Sequence, residues 1–236
     1  LMDLEETPIL ALVPARKGSE SVSKKNLRLV KGSPLINYTF KAAFHSEYVT
    51  EIYLSTNDKE AIECAGSFPV KVIHRPQEFC TKISTANDVV MHFISQLSKD
   101  LVSQNPLIIY LQPTSPLRTA FHIDQALTEM KLNGLRKLVS VVEADVSIYK
   151  SFKLNEEGLL RSFFDEKLTN RSRQTLPKVF LPNGAIYVFG VLDFLEHGSI
   201  PSNGSYPYIM KGTDSIDIDC EDDLTLIEAL MTKYAN

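Results

Sequence analysis

Three short runs constrain this chain more than any other feature: ILALV at 9–13, LIIYL at 107–111 and LVSVV at 138–142. Each is apolar at nearly every consecutive position. A strand with one face in water alternates apolar and polar residues, whereas an unbroken run needs cover on both faces, as in a parallel sheet sandwiched by helices. The first run breaks at Pro14 into the polar stretch ARKGSESVSKKN, and the second into QPTSPLR at 112–118. Residues 85–97 place Val89, Val90, Phe93, Ile94 and Leu97 at helical spacing, and a second helix is expected over 120–132. Ser33-Pro34 offers an N-cap and a first-turn proline for a helix reaching Phe44, Asp58 caps a short helix near Ala61, and an acidic start opens a last helix at 222–234. Shorter strands are expected at 51–55, 70–73, 185–189 and 208–210.

Strands alternating with helices predict a three-layer α/β domain. A chain of 236 residues, 44% hydrophobic and 23% charged, suits one such domain. The rhythm fails over 147–178, where a hydrophilic stretch, EKLTNRSRQTLPK, reads as an inserted arm. Lys+Arg number 25 against 29 Asp+Glu, so a uniformly basic nucleic-acid-binding surface is not expected. Cys64, Cys80 and Cys220 are far apart and form no C-x-x-C pair, which argues against a disulfide framework or structural zinc. No run approaches the roughly 20 apolar residues that cross a bilayer, and the opening LMDLEETP is acidic where a secretory signal is basic and then apolar. The expectation is a soluble cytoplasmic protein with no membrane or nucleic-acid partner.

In open α/β sheets ligands collect beyond the carboxyl ends of the strands, so the loops there come first. The first holds Arg16, Lys17, Lys24, Lys25, Arg28 and Lys31 against Glu20 alone, with Gly18, Ser19 and Ser21 small enough to let backbone N–H groups approach an anion. That composition suits a triphosphate and equally describes a solvated basic face; neither a Walker A nor a G-x-G-x-x-G pattern is present. The second loop offers Gln112, Thr114, Ser115 and Arg118, either as ligand contacts or as a rigid turn ended by Thr119. Arg75-Pro76 has a similar position after its strand. In DSIDID at 214–219, alternation puts Asp217 and Asp219 on one face, able to present two carboxylates to a hard cation such as Mg²⁺. The bland alternative is acidic capping of the last helix, and Asp222 and Asp223 can do that while Asp217 and Asp219 face a ligand. None of the five histidines stands at metal-ligand spacing, and no G-x-S-x-G appears.

Taken together, PARKGSESVSKKN (14–26), LQPTSPLR (111–118), RQTLPKVFLPNGAIY (173–187) and DSIDID (214–219) resemble the acylneuraminate cytidylyltransferases, in that family's order across nearly the whole chain. The resemblance implies a Rossmann-like nucleotide-diphospho-sugar transferase fold with a mainly parallel mixed sheet. It implies one cytidylyltransferase domain over 1–236, carrying a dimerisation and sugar-binding insertion near 144–180. The implied reaction is CTP plus a nonulosonic, sialic-type acid giving a CMP-sugar and pyrophosphate, with Mg²⁺ as cofactor. By resemblance, Arg16, Lys25, Asp217 and Asp219 are catalytic, and Arg16, Gly18, Ser19, Lys25, Asn26, Arg75, Ser84 and Gln112 bind the nucleotide. Gln112, Lys150, Arg173, Tyr187 and Asp217 fall where the family binds the sugar acid, and Asp217 and Asp219 where it holds the metal. Lys150 resembles a residue that reaches into a partner subunit's site, which implies a homodimer.

Three departures stand out. Glu20 replaces a lysine of the family's G-S-K-G, reversing a charge beside a polyanion. Lys82 stands where an aspartate is common. An aromatic pair of some sialic-acid-specific members is replaced by Ile200-Pro201-Ser202, so a bacterial relative such as legionaminic acid is as good a candidate as N-acetylneuraminic acid. A cytidylyltransferase for another 2-keto sugar acid such as KDO, and a non-catalytic CTP- or sugar-binding paralogue, are the alternatives.

Overall fold

The computed structural model describes residue 4, residues 6–18 and residues 22–234, the last by its backbone alone. In chain order its elements are β1 (Ile9–Ala15), β2 (Leu29–Val30), β3 (Ser33–Pro34), α1 (Leu35–Phe44), β4 (Glu51–Thr56), α2 (Lys59–Ala65), β5 (Val70–His74), α3 (Ala86–Ser95) and α4 (Lys99–Ser103). There follow β6 (Leu107–Tyr110), α5 (Ala120–Leu132), β7 (Leu138–Ala144), β8 (Phe152–Leu154), β9 (Leu160–Ser162), α6 (Glu166–Thr169), β10 (Val179–Gly190), α7 (Val191–His197), β11 (Tyr206–Ile209) and α8 (Glu221–Tyr234).

Seven strands make one sheet in the order β11-β7-β10-β6-β1-β4-β5. Neighbours pair in parallel except β10, which runs antiparallel to both β6 and β7. The layers explain why β1 does not alternate. Ile9, Ala11 and Val13 pack with Ile36 and Phe40 of α1 and Ile123 and Leu127 of α5, while Leu10 and Leu12 pack with Val89, Val90 and Phe93 of α3 and Phe194 of α7. Every residue of the run therefore meets a helix layer on one side or the other, each large side chain contributing about 1.5–3 kcal/mol of burial. The expected three-layer α/β architecture is the one observed.

Two sequence expectations need correction. Ser33 and Pro34 do not open a helix as N-cap and first-turn proline: they pair antiparallel with Val30 and Leu29, and Pro34 itself occupies the N-cap position of α1 with no side-chain cap. The cause is the intervening Lys31-Gly32, both at positive φ (48° and 76°), the conformation of a tight two-residue hairpin. The strand expected over 185–189 is also longer, running from Val179, because its first half pairs with β7 before a register shift between Pro182 and Tyr187. That pairing sets Val179 opposite Ala144, so the intervening segment leaves and rejoins the sheet at one point as an arm carrying the β8–β9 hairpin and α6. Helices α4, α6 and α7 and the two short hairpins have no counterpart in the sequence expectations.

A third cluster matters for function. Val22, Val30 and Leu35 pack with Ile218, Leu224 and Ile227, which docks α8 and the segment before it against the first polar loop. No helix among the described residues is long and apolar enough to cross a membrane.

Candidate functional site

Beyond the carboxyl ends of β1 and β6 lies a cleft of about 400 Å³. It is lined by nine of the residues singled out from the sequence: Arg16, Lys25, Asn26, Arg75, Ser84, Gln112, Thr114, Asp217 and Asp219. Pro14 at the end of β1 and Pro113 after β6 form part of its wall.

Lys25 begins a 3-10 turn, Lys25–Leu27, entered through Lys24 in the left-handed region. Its Nζ donates to the Ile218 carbonyl at 2.7 Å and lies 3.2 Å from Asp219 Oδ1. Next to it, Arg28 makes a two-pronged pair with Glu221 at 2.7 and 2.8 Å. The local excesses of positive charge over 15–31 and negative charge over 211–223 thus meet, six Lys/Arg against one Glu facing six Asp/Glu against one Lys. Asp223 Oδ2 accepts from the N–H groups of Asp219 and Cys220, both at 2.8 Å. Asp223 therefore caps α8, and Asp217 and Asp219 remain on the cleft wall. Burial pushes the Asp217 carboxyl above the usual carboxylate range, against a hydrogen bond from Thr114 that opposes the rise, with Asp219 repulsion adding to it. Asp217 Oδ1 is buried with no hydrogen-bond partner among the described residues.

Arg16 donates from Nη1 to the Gly18 carbonyl at 2.8 Å, which curls the first loop over itself. Arg75 is held from behind: Nε donates to Ser55 Oγ (3.1 Å) and Nη2 to the Ser55 carbonyl (2.6 Å), and burial lowers its pKa from the ordinary guanidinium value. The Ser84 hydroxyl is engaged locally by Thr81 and Glu78. Gln112 lies over the backbone of Gly184, whose φ is +75°; a Cβ there would stand 2.6 Å from Gln112 Oε1 and 3.8 Å from Asp217 Cγ. Tyr187 faces Tyr110 across the β10–β6 pair with ring centroids 6.3 Å apart, and Tyr110 itself lines the cleft.

Other residues named from the sequence lie elsewhere. Gly18 sits beside Arg16 without lining the cleft, and Ser19 and Glu20 lie outside the described residues. Lys150 ends a 3-10 turn at the root of the arm, and Arg173 Nη1 stands 3.8 Å from Asp145 Oδ2 near the same root; neither lines the cleft. Arg118, which the sequence left open between a ligand contact and part of a rigid turn, is buried behind the second loop. Two residues were missed. Tyr110 is the polar-tipped end of an apolar run, and Asn183 precedes glycine in the N-G pair that marks the β10 irregularity.

A basic loop, a buried-tethered arginine and two carboxylates around one cleft can hold a polyphosphate and neutralise charge on it. A family model for cytidylyltransferases matches residues 10–161. The chain belongs to the cytidylyltransferase family. Among curated relatives of this family member, N-acylneuraminate cytidylyltransferase of Streptococcus agalactiae is 29% identical over 96% of this chain and 54% of the relative. CMP-N,N'-diacetyllegionaminic acid synthase of Legionella pneumophila is 30% identical over 94% of this chain and 96% of the relative. Pseudaminic acid cytidylyltransferase of Campylobacter jejuni is 29% identical over 94% and 95%. The chain thus spans about half the length of the streptococcal relative and nearly all of the other two. In fold it is similar to the CMP:2-keto-3-deoxy-manno-octonic acid synthetase solved with CTP, at 16% identity, a TM-score of 0.69, and coverage of 97% of this chain and 100% of that one. The Rossmann-like fold of nucleotidyltransferases is common to both.

Proposed function

We propose that this family member transfers the cytidylyl group of CTP to the anomeric hydroxyl of a nonulosonic acid. In the reaction the hydroxyl oxygen bonds to the α-phosphorus, the bond from that phosphorus to the bridging oxygen breaks, pyrophosphate departs and the hydroxyl proton is lost. The single observation that carries the proposal is the meeting of Arg16 and Lys25 with Asp217 and Asp219 around one cleft, contributed by segments about 190 residues apart. Such a reaction needs little covalent help from the protein; alignment and charge neutralisation do most of the work. Arg16, Lys25, Asn26, Arg75 and Ser84 are the nucleotide side of the cleft in this proposal, and nucleotide contacts by Gly18 and Ser19 rest on the resemblance alone. Gln112 and Asp217 are the acceptor side; Tyr187 does not line the cleft but packs on Tyr110, which does, and an acceptor contact by it rests on the resemblance.

Asp217 and Asp219 suit a divalent cation. Asp217 Oδ1 is a buried carboxylate oxygen with no hydrogen-bond partner among the described residues, and Mg²⁺ commonly takes one or two carboxylates and completes its shell with water and substrate phosphate. A shell of that kind needs no third protein ligand, in keeping with the lack of any His/Cys/Asp/Glu cluster of three among the described residues. When bound, the ion would draw charge from the phosphates and make their departure easier.

The arm near 144–180 is assigned to dimerisation and to completion of the acceptor site by Lys150 and Arg173. Phe152, Leu154, Leu160 and Phe163 on it are at least half exposed, a large apolar surface for a chain acting alone. Three free thiols, Cys64, Cys80 and Cys220, and the demand for CTP support a cytoplasmic location.

The relatives at 29–30% identity favour a nine-carbon acceptor of the legionaminic, neuraminic or pseudaminic type over KDO, whose synthetase is similar here in fold. Pyrophosphate release should be measured with CTP and Mg²⁺ against N-acetylneuraminic, N,N'-diacetyllegionaminic, pseudaminic and KDO acids. Turnover with a nonulosonic acid at least tenfold above KDO is expected. CTP binding by calorimetry without release on any of the four would instead support the non-catalytic alternative.

A further inference from the structure

Arg118 is 1% exposed, yet every partner of its guanidinium is neutral. Nη1 donates to the carbonyls of Gln112 (3.0 Å) and Ala185 (2.9 Å), Nη2 donates to Thr39 Oγ1 (2.5 Å), and Nε has no partner among the described residues. Burial pushes its pKa down to about 9, the signature of a cation taken out of water without a counter-charge. A methionine would fill similar space without that cost. What an apolar side chain does not do is join two carbonyls from separate segments. Gln112 follows β6, and Ala185 lies in the irregular stretch of β10 between Pro182 and Tyr187. Between them Gly184 leaves room for the Gln112 side chain, with Asp217 immediately beyond.

Two more links bind the same assembly. Asn183 Nδ2 donates to Ser215 Oγ at 2.9 Å while Asn183 Oδ1 accepts from Ser140 Oγ at 2.5 Å, tying the β10 irregularity to the segment that leads into Asp217. The Ile218 N–H donates to the Thr114 carbonyl at 2.9 Å, tying the extended segment around Asp217 to the loop that Arg118 anchors. We propose that Arg118 is a positioning residue: without touching substrate, it fixes the Gln112 peptide against the β10 irregularity and so sets the Gln112 side chain beside Asp217 in the cleft. The inference rests on the cytidylyl-transfer reading for its kinetic consequence, but not for its geometric one.

The test is a double-mutant cycle with wild type, Arg118→Met, Gln112→Ala and the double variant, reading kcat and the KM values for CTP and acceptor separately. Arg118→Met should lower kcat roughly 10- to 100-fold, the scale of a misplaced contact group, with little change in the KM for CTP. Added to Gln112→Ala it should cause little further loss, because its target is already gone. Equal losses in both backgrounds, or a lower melting temperature with unchanged kcat, would overturn the proposal. Should Arg118→Met not fold, Arg118→Lys carries the same cycle, since it keeps the charge and loses the fork. A crystal structure of either variant gives a readout that needs no turnover. Gln112 should be displaced from Gly184 and Asp217, and an unmoved Gln112 sinks the inference. A wild type without pyrophosphate release on any acid would sink only the reading of the reaction.

Discussion

Lys25 Nζ lies 3.2 Å from Asp219 Oδ1, although the two residues are 194 positions apart. The pair is unequal in its surroundings: the Lys25 side chain is 13% exposed and that of Asp219 81%. A mostly buried lysine tethered by the Ile218 carbonyl is pre-aimed at the cleft, while the exposed carboxylate can turn toward a cation. Lys25→Met should therefore lower kcat/KM on the order of 10²-fold, the usual loss for one preorganised charge-stabilising donor, and change thermal stability little. Steady-state pyrophosphate release and a melting curve check both halves.

Gly184 supports a sharper expectation. Alanine there meets a left-handed backbone and a Gln112 oxygen at 2.6 Å, so strain of about 1–2 kcal/mol should add to displacement of Gln112. Gly184→Ala should fold with a lower melting temperature, keep CTP affinity by calorimetry and lose acceptor turnover. Loss of CTP affinity alone would contradict the placement of Gln112 on the acceptor side.

Much of this was legible in the chain because the relevant signals are local. The unbroken runs at 9–13 and 107–111 announced strands covered on both faces, and the apolar spacing over 85–97 announced the helix found at 86–95. The charge blocks were legible as well, and the resemblance implied that they meet in one site; what the chain did not show is the apolar packing of Val22 and Val30 against Ile218 and Ile227 that brings them together. Ser33-Pro34 misled because a neighbouring lysine-glycine turn overrode the capping signal. For Arg118 the sequence left a ligand contact and a rigid turn both open. A guanidinium in a polar loop looks like a ligand contact, and only the course of β10 behind the loop shows that carbonyls, not solvent, receive it.

The carboxylate pair should separate under metal titration. Asp217→Asn and Asp219→Asn are each expected to raise the Mg²⁺ concentration needed for half-maximal pyrophosphate release, Asp217→Asn more strongly because its carboxylate is the buried one. Isothermal titration with Mg²⁺ in the presence of CTP gives a readout apart from turnover. Full activity of Asp217→Asn at all Mg²⁺ concentrations would remove it from the metal site.

Helix α3 offers a stability test remote from chemistry. The Asp88 carboxylate accepts from the Thr85 N–H (2.7 Å) and hydroxyl (2.9 Å), bonds that hold its pKa below the ordinary aspartate value. A folded pKa below the unfolded one means that the contribution is present above the unfolded value and is lost as pH falls through the folded one. Thr85→Ala should cost about 1 kcal/mol at neutral pH, and Asp88→Asn should flatten the acid limb of a denaturation series run between pH 6 and pH 3 in steps of about half a unit. An unchanged acid limb in Asp88→Asn would show that the cap does not couple to folding.

The arm makes the last prediction, because its surface and its charged residues demand different things. Leu160 and Phe163 are 70% and 60% exposed, so a solitary chain would hold a large apolar face in water, while Lys150 and Arg173 near its root do not line the chain's own cleft. Both facts are met if a second copy covers the arm and receives Lys150 at its acceptor site. Leu160→Asp with Phe163→Asp should then yield a monomer by light scattering and lose turnover while CTP binding persists. Mixing Lys150→Ala with Asp217→Asn, assayed at an Mg²⁺ concentration too low for Asp217→Asn to turn over alone, should restore about a quarter of wild-type activity, the statistical yield when two chains pair at random and each site draws on both. No recovery on mixing, with dimers present, would place Lys150 outside the partner's site.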